Sequence, residues 1–263
     1  MNKPYLDYLR LATWNTAQYA SLLAKLYEKD VYAPSKWLQY RGKRSADGHI
    51  FHGMGSQGRG SLERRHAIIH FSGSESHVWR KECRDWDTFY CTRLDVQVTI
   101  DEPEEHDAER LYKKLHRKAK SIIISPGACT VYVGSRRSDL FTRIYEKPVN
   151  GKRYLRCEFE LKGKYSKAAW LSYQEKATTV SQIFATCHER AKIPSPWREW
   201  FTVDSDACPN LLRSEASQDL RAKLAYLLDT ETALERMFMS HETRGAVDCL
   251  IERLELMRQT TLD

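Results

Sequence analysis

Paired cysteines are missing from this sequence. The seven cysteines, at 83, 91, 129, 157, 187, 208 and 249, are odd in number and none stands in CxxC spacing. That argues against a disulfide framework and a zinc site, and points to reduced, packing thiols in a cytoplasmic protein. No run approaches the roughly 20 apolar residues of a membrane span. The opening residues, MNKPYLDYLRLATWN, lack the unbroken apolar stretch of a signal peptide. Internal repeats, low-complexity segments and any His-x-His pair are absent. His49 with His52, and His66 with His70, are spaced too widely for that motif, and a structural role is the simpler reading for them.

What is present is charge. The 263 residues include 42 Lys and Arg against 35 Asp and Glu, a net charge of +7, with a pI of about 9.0 and a mean hydropathy of −0.62. The length suffices for a sizeable core, and the basic excess favours a polyanionic partner without naming one.

Hydrophobic periodicity organises the chain. Residues 5–13 read as a strand and 16–29 as a helix. Asp47-Gly48 marks a hairpin between KWLQYRGKRSA and HIFHG. A Gly-rich basic loop follows over 53–65, then a strand from 66, then a short helix with Ser74 as N-cap. Residues 90–100 alternate strictly, 104–120 read as a helix with its charges ordered along the dipole, and TVYVGSR, LFTRIYEK and RYLRCEFELKG read as three more strands. A long helix is expected over 164–191. The remainder is helical, divided near Asp229-Thr230 and His241-Glu242-Thr243. The expectation is an α+β fold: an antiparallel-rich sheet with helices on one face over residues 1–205, and a small helical subdomain over 206–263.

Gly53, Gly55 and Gly58 form GxGxxG, but a dinucleotide site needs this pattern between a strand and a helix, with an acid about 20 residues on. A basic stretch and another strand follow instead. The segment reads as a hairpin end whose Arg59, Arg64 and Arg65 touch phosphates, or as a plain solvated basic loop.

Three strands read with a period of two carry the chemistry. Arg93, Asp95, Gln97 and Thr99 share one face of their strand. Arg143, Tyr145 and Lys147 share another with Phe141. Tyr154, Arg156, Glu158 and Glu160 share a third. If these strands are neighbours, carboxylates, cations and a phenol gather on one sheet face. Such oxygens suit magnesium or manganese, and a phenol beside cations ionises more easily. The set matches phosphodiester attack by a tyrosinate. Opposite charges pairing across an exposed sheet face are the ordinary alternative, and periodicity does not separate the two.

The segments TVYVGSRRSDLFTRIYEK and RYLRCEFELKG, with HFSG…WDTFYCTRLDVQV and DYLRLATW upstream, resemble the replication initiation factor family of rolling-circle plasmids and filamentous phages, which includes some relaxases. The resemblance covers roughly residues 5 to 190 and fits the helical tail more loosely. It implies a metal-dependent enzyme that nicks and rejoins single-stranded origin DNA through a 5′-phosphotyrosyl intermediate. Tyr145 matches the nucleophile. Asp95 and Glu158 match the metal-binding acids, with Glu160 as a second candidate, for magnesium or manganese. Arg143 and Lys147 flank the nucleophile and would hold the scissile phosphate, while Ser135, Arg136 and Arg137 offer a turn for the DNA backbone. One position departs: Thr99 stands where the family often has another acid. Tyr132, Tyr154 and Tyr165 read as packing or stacking residues.

The implied partners are DNA, as an origin hairpin or single strand, a host helicase, and a second copy in a homodimer. Three alternatives stay open: a non-catalytic DNA-binding regulator, a relaxase for conjugative mobilisation, and an RNA-binding protein, whose mark would be a preference for the 2′-hydroxyl. The tail stripes around Leu224, Phe238 and Leu250 read as core packing, with DNA reading or a dimer contact as alternatives.

Overall fold

The computed structural model describes residues 2–37, 40–57, 64–86, 88–101, 103, 119–125 and 128–212, apart from the side chains of 56, 57, 64, 65, 119–125 and 128. Residues 104–118 of the helix expected over 104–120, the loop around Arg59 and the tail helices beyond residue 212 lie outside the described residues.

Ten strands form one sheet: β1 (Tyr5–Thr13), β2 (Tyr32–Trp37), β3 (Tyr40–Ser45), β4 (Ile50–Gln57), β5 (Arg64–Ser72), β6 (Tyr90–Asp101), β7 (Ala119–Ser125), β8 (Ala128–Val133), β9 (Leu140–Val149) and β10 (Lys152–Lys162). Their order is β2-β3-β4-β5-β1-β6-β10-β9-β8-β7, and every neighbouring pair is antiparallel. Helices α1 (Thr16–Tyr27), α2 (Ser74–Glu82), α3 (Gly163–Gln174), α4 (Val180–Arg190) and the single turn α5 (Trp197–Trp200), with a 3-10 turn at Cys83–Asp85 after α2, complete the described elements. The fold is α+β.

The apolar positions of the alternating strands explain the layering. Leu6, Leu9, Leu94, Val96, Val98, Ile144, Cys157 and Phe159 join Leu22, Trp79, Trp170 and Phe184 of the helices in one buried core. Removing such side chains from water is the main stabilising term, roughly 1.5–3 kcal/mol for each large one. The six described cysteines are free, and five are buried. Burial pushes the Cys91 thiol up to about 12, so these thiols pack rather than react.

Four local differences from the sequence reading have physical causes. The helix expected over 164–191 is two helices. Lys176 takes φ +59°, and Thr179 caps α4 by accepting from the Gln182 amide at 3.2 Å while the Gln182 side chain accepts from the Thr179 amide at 2.9 Å. This capping box was present in the sequence as Thr-x-x-Gln. Thr179→Ala is expected to cost about 1 kcal/mol in urea unfolding, with Thr179→Ser keeping most of it. The N-cap of α2 is Gly73, at φ +60°, and Ser74 is the first helical residue. The Gly-rich segment is strand through Gln57, because Gly53 lies across from Gly42, where a Cβ would meet the His52 carbonyl at 1.8 Å. Finally, Ala119 and Lys120 begin β7 rather than ending a helix.

The sheet is curled at its β2 end. β2 and β1 are four strand spacings apart, about 19 Å in a flat sheet. Yet the Arg10 guanidinium of β1 lies 5.3 Å from the Trp37 ring centre, and Trp37 also meets His70 of β5 at 5.5 Å edge-on. The β2–β3 end therefore bends over the face that the described helices leave free. A second small cluster of Tyr40, Phe51 and Ile68 with Trp37 sits on that face.

Candidate active site on the sheet face

Strand β10 lies between β6 and β9, and its register brings the charged positions together. Glu158 stands opposite Gln97 and Arg143, Glu160 opposite Asp95, and Arg156 opposite Thr99 and Tyr145. The three strands are neighbours, and their polar positions share one face.

One guanidinium is the hub. Arg143 Nη2 contacts Glu158 Oε1 directly, Asp95 Oδ2 at 3.4 Å and Glu160 Oε2 at 3.8 Å. The three acids expected to bind a metal thus converge on a cation that belongs to the chain. Asp95 also receives a bidentate pair from Arg93 Nε (2.9 Å) and Nη2 (2.5 Å). Glu160 is held by Arg93 at 2.9 Å and Lys162 at 3.0 Å. Burial pushes the Asp95 carboxyl well above the usual carboxylate range, with Arg93 opposing and Glu158 adding. Burial also opposes ionisation of Glu160, but Arg93, Lys162 and Arg143 outweigh it and hold that carboxyl low.

Tyr145 Oη donates to Glu158 Oε2 at 3.2 Å and accepts from Arg156 Nη1 at 3.3 Å. The sequence reading expected a more easily ionised phenol. The reverse holds: burial pushes it up to about 12, Glu158 adds to the shift, and Arg156 offsets only part of it. Lys147 is half-buried on the same strand, and burial together with Arg156 lowers its ammonium below the usual range. Among the other tyrosines, Tyr132 stacks on Phe141 at 5.6 Å, and Tyr165 accepts from Arg190 at 2.7 Å.

Two residues of this face were missed in the sequence reading. Asp7 is the extra residue of a bulge, since Leu6 pairs with Val96 and Tyr8 with Asp95. It accepts from Gln97 Nε2 at 3.2 Å and lies 3.8 Å from Arg156. Burial, then Glu158, raises its carboxyl pKa. The signal was there: the core leucines step from 6 to 9, which breaks the two-residue period. Arg156 shares the face by its strand period, and its contacts give it a role that the period does not show. Its Nε donates to Thr99 Oγ1 at 2.9 Å, so Thr99 orients a guanidinium toward Tyr145.

The β8–β9 turn carries the residues read as backbone contacts. Ser135 is half-buried, Arg136 and Arg137 are exposed, and the Arg136 guanidinium lies 5.2 Å from the Tyr132 ring centre. Arg64 belongs to β5; its side chain, and all of Arg59, lie outside the described residues. The histidines are structural. His66 bonds the hydroxyls of Tyr40 (2.9 Å) and Tyr90 (2.6 Å), His70 that of Tyr8 (3.0 Å), and His52 those of Tyr19 (2.9 Å) and Tyr27 (3.1 Å).

Burial lowers all three, His52 and His66 to about 4 and His70 to about 3. A folded-state value below the unfolded value near 6.5 means that unfolding takes up protons. The stabilisation is complete above pH 6.5 and is lost as pH falls through 4 for His52 and His66 and through 3 for His70, on the order of 3 kcal/mol or more for each ring. Urea midpoints measured from pH 7 to pH 4.5 are expected to fall steeply, and His66→Asn to flatten that dependence. Equal slopes in the two proteins contradict the assignment.

Among the described residues, no three His, Cys, Asp or Glu side chains are disposed to hold a metal ion. The donor set nevertheless fits a hard cation. Asp95 and Glu158 are two buried carboxylates facing one positive centre, the Arg143 guanidinium. No described helix is long and apolar enough to cross a membrane.

No family model matches the sequence, and no curated protein matches it. Among solved structures, the rolling circle replication initiator protein from Geobacillus stearothermophilus aligns with a TM-score of 0.53 at 17% identity, over 81% of this chain and 95% of that one. The chain therefore has the fold of a rolling circle replication initiator.

Proposed function

We propose that this chain is a rolling-circle replication initiator that nicks and rejoins single-stranded origin DNA through Tyr145. The observation that carries the reading is the placement of the Tyr145 hydroxyl between Glu158 and Arg156, on the polar sheet face of an initiator fold. Tyr145 Oη attacks the scissile phosphorus and its proton passes to Glu158. The bond to the 3′ oxygen breaks, leaving a 3′-hydroxyl and a 5′-phosphotyrosyl enzyme; attack by a 3′-hydroxyl on that linkage rejoins the strand. Arg156 faces the phenolic oxygen and offsets its developing charge. Lys147, and Arg143 once it leaves the acids, hold the phosphate oxygens, and Ser135, Arg136 and Arg137 hold the flanking backbone. Asp95 and Glu158, with Glu160 beside them, would hold a magnesium or manganese ion, which supplies polarisation of the phosphate when bound. DNA is the partner, with a helicase and a second copy as further expectations, and residues 1–205 are the nicking domain.

A labelled single-stranded origin oligonucleotide incubated with manganese is expected to yield a covalent adduct that excess chelator abolishes. One observation favours the non-catalytic regulator: Arg143 already satisfies the acids. Origin binding unaffected by manganese, with no adduct in any divalent metal, would establish that second reading.

A further inference from the structure

We infer that Trp37 and Arg10 form a base-stacking station for the single-stranded DNA flanking the nick, on the same sheet face as Tyr145. The inference rests on the proposed function for the identity of the strand and goes beyond it in placing where a base is gripped.

The first ground is charge. Strands β2 to β5 contain six Lys and Arg and no Asp or Glu, whereas the six acids of the sheet lie on β1, β6, β9 and β10, four of them on β6 and β10. Half of the sheet is thus built for a polyanion, and the other half for a cation or a reacting phosphate. The second ground is geometry. The curl of the β2–β3 end carries Trp37 over the polar face. There its ring meets Phe51 (6.2 Å) and His70 (5.5 Å), with the Arg10 guanidinium 5.3 Å from its centre.

Trp37 stays half-exposed, while Tyr40, Phe51 and His70 beneath it are buried. Its position is set from below, so it meets a ligand preorganised. Arg10 is fixed as well, its Nε donating to Thr92 Oγ1 at 2.8 Å. An indole and a guanidinium held side by side offer a nucleobase a π-face and its phosphate a charge. Between this station and Tyr145, Arg93 lies 4.5 Å from the Tyr8 ring centre, so cationic and aromatic groups continue along the face. The occupant that fits is a strand with exposed bases; a duplex hides its base faces.

The test uses full-length Tyr145→Phe protein as the background, so that no strand is cut and binding is read apart from nicking. Affinities are measured for a 20-mer of thymidine, an abasic 20-mer of the same phosphate count, and a 20-mer of uridine, with Trp37, Trp37→Phe and Trp37→Ala. The thymidine strand should bind Trp37 protein roughly 5- to 150-fold tighter than the abasic strand, the range for one base stack. Trp37→Ala should remove most of that preference, and Trp37→Phe should keep part of it. Arg10→Gln should weaken both DNA strands.

A loss of packing alone would weaken the thymidine and abasic strands equally, and that result overturns the inference, as does an unchanged preference in Trp37→Ala. Uridine binding tenfold or more above thymidine overturns the DNA occupant. Failure of adduct formation by the Tyr145 enzyme, with the Trp37 preference intact, would count against the nicking reading and leave this station standing.

Discussion

Tyr145→Phe is expected to abolish the covalent adduct with single-stranded origin DNA while leaving the affinity for that DNA within about twofold of the parent. The substitution removes one oxygen from a ring that already stands among Glu158, Arg156 and Lys147, so the volume is kept. Without the nucleophile there is no phosphotyrosyl bond, and no neighbour replaces it: Tyr132 is stacked on Phe141 and Tyr165 is held by Arg190. The raised phenol pKa sharpens the expectation. A phenol raised to about 12 is not a phenolate at neutral pH, so the proton must leave during attack, and Glu158 Oε2 is the acceptor in contact. Glu158→Gln should therefore lower the rate by two or more orders of magnitude. Tyr154→Phe should be nearly silent. An adduct persisting in Tyr145→Phe at the parental yield would end the assignment.

The second large effect concerns stability. Arg143→Gln is expected to destabilise the fold by about 3 kcal/mol in the presence of chelator, because it leaves two buried carboxylates with one cation fewer. Arg93 still holds Asp95, which keeps the loss from being larger. Manganese should then recover much of the deficit, about 2.7 kcal/mol at a hundredfold excess over its dissociation constant, by taking the place of the guanidinium. Thermal melts of the parent, Arg143→Gln and Arg143→Gln/Glu158→Gln, each with and without manganese, check this. The double variant should show no rescue. A single variant whose melting temperature ignores manganese would remove the carboxylate metal site from the reading.

Much of the fold was legible because its strands alternate. The parity of Leu94, Val96 and Val98 against Arg93, Asp95 and Gln97 is a property of any strand with one buried face, and it held in β6, β9 and β10. Breaks in that parity were harder to read. The bulge at Asp7 and the interruption at Lys176 each left a local mark, a skipped leucine period and a Thr-x-x-Gln box, but both marks are short beside the long patterns around them. The candidate site divides similarly. Membership of the charged face followed from period and order along the chain. Who touches whom did not, since Thr99 with Arg156, and Arg143 with three acids, meet only across strands.

The sequence by itself determined most element types of the described residues, though not the strands β2 and β7, and it determined the two faces of the central strands, the free cysteines and the basic character. These are local quantities, set by side-chain period and composition. Only the tertiary structure decided that β10 lies between β6 and β9, that Arg143 occupies the centre of the acid cluster, and that burial raises rather than lowers the Tyr145 pKa. Only there, too, does Trp37 reach Arg10 across four strand spacings. The physical reason is common to all of these. Pairing order, curl and desolvation arise from contacts between residues far apart in the chain, and no local pattern encodes how much water each charge loses on folding.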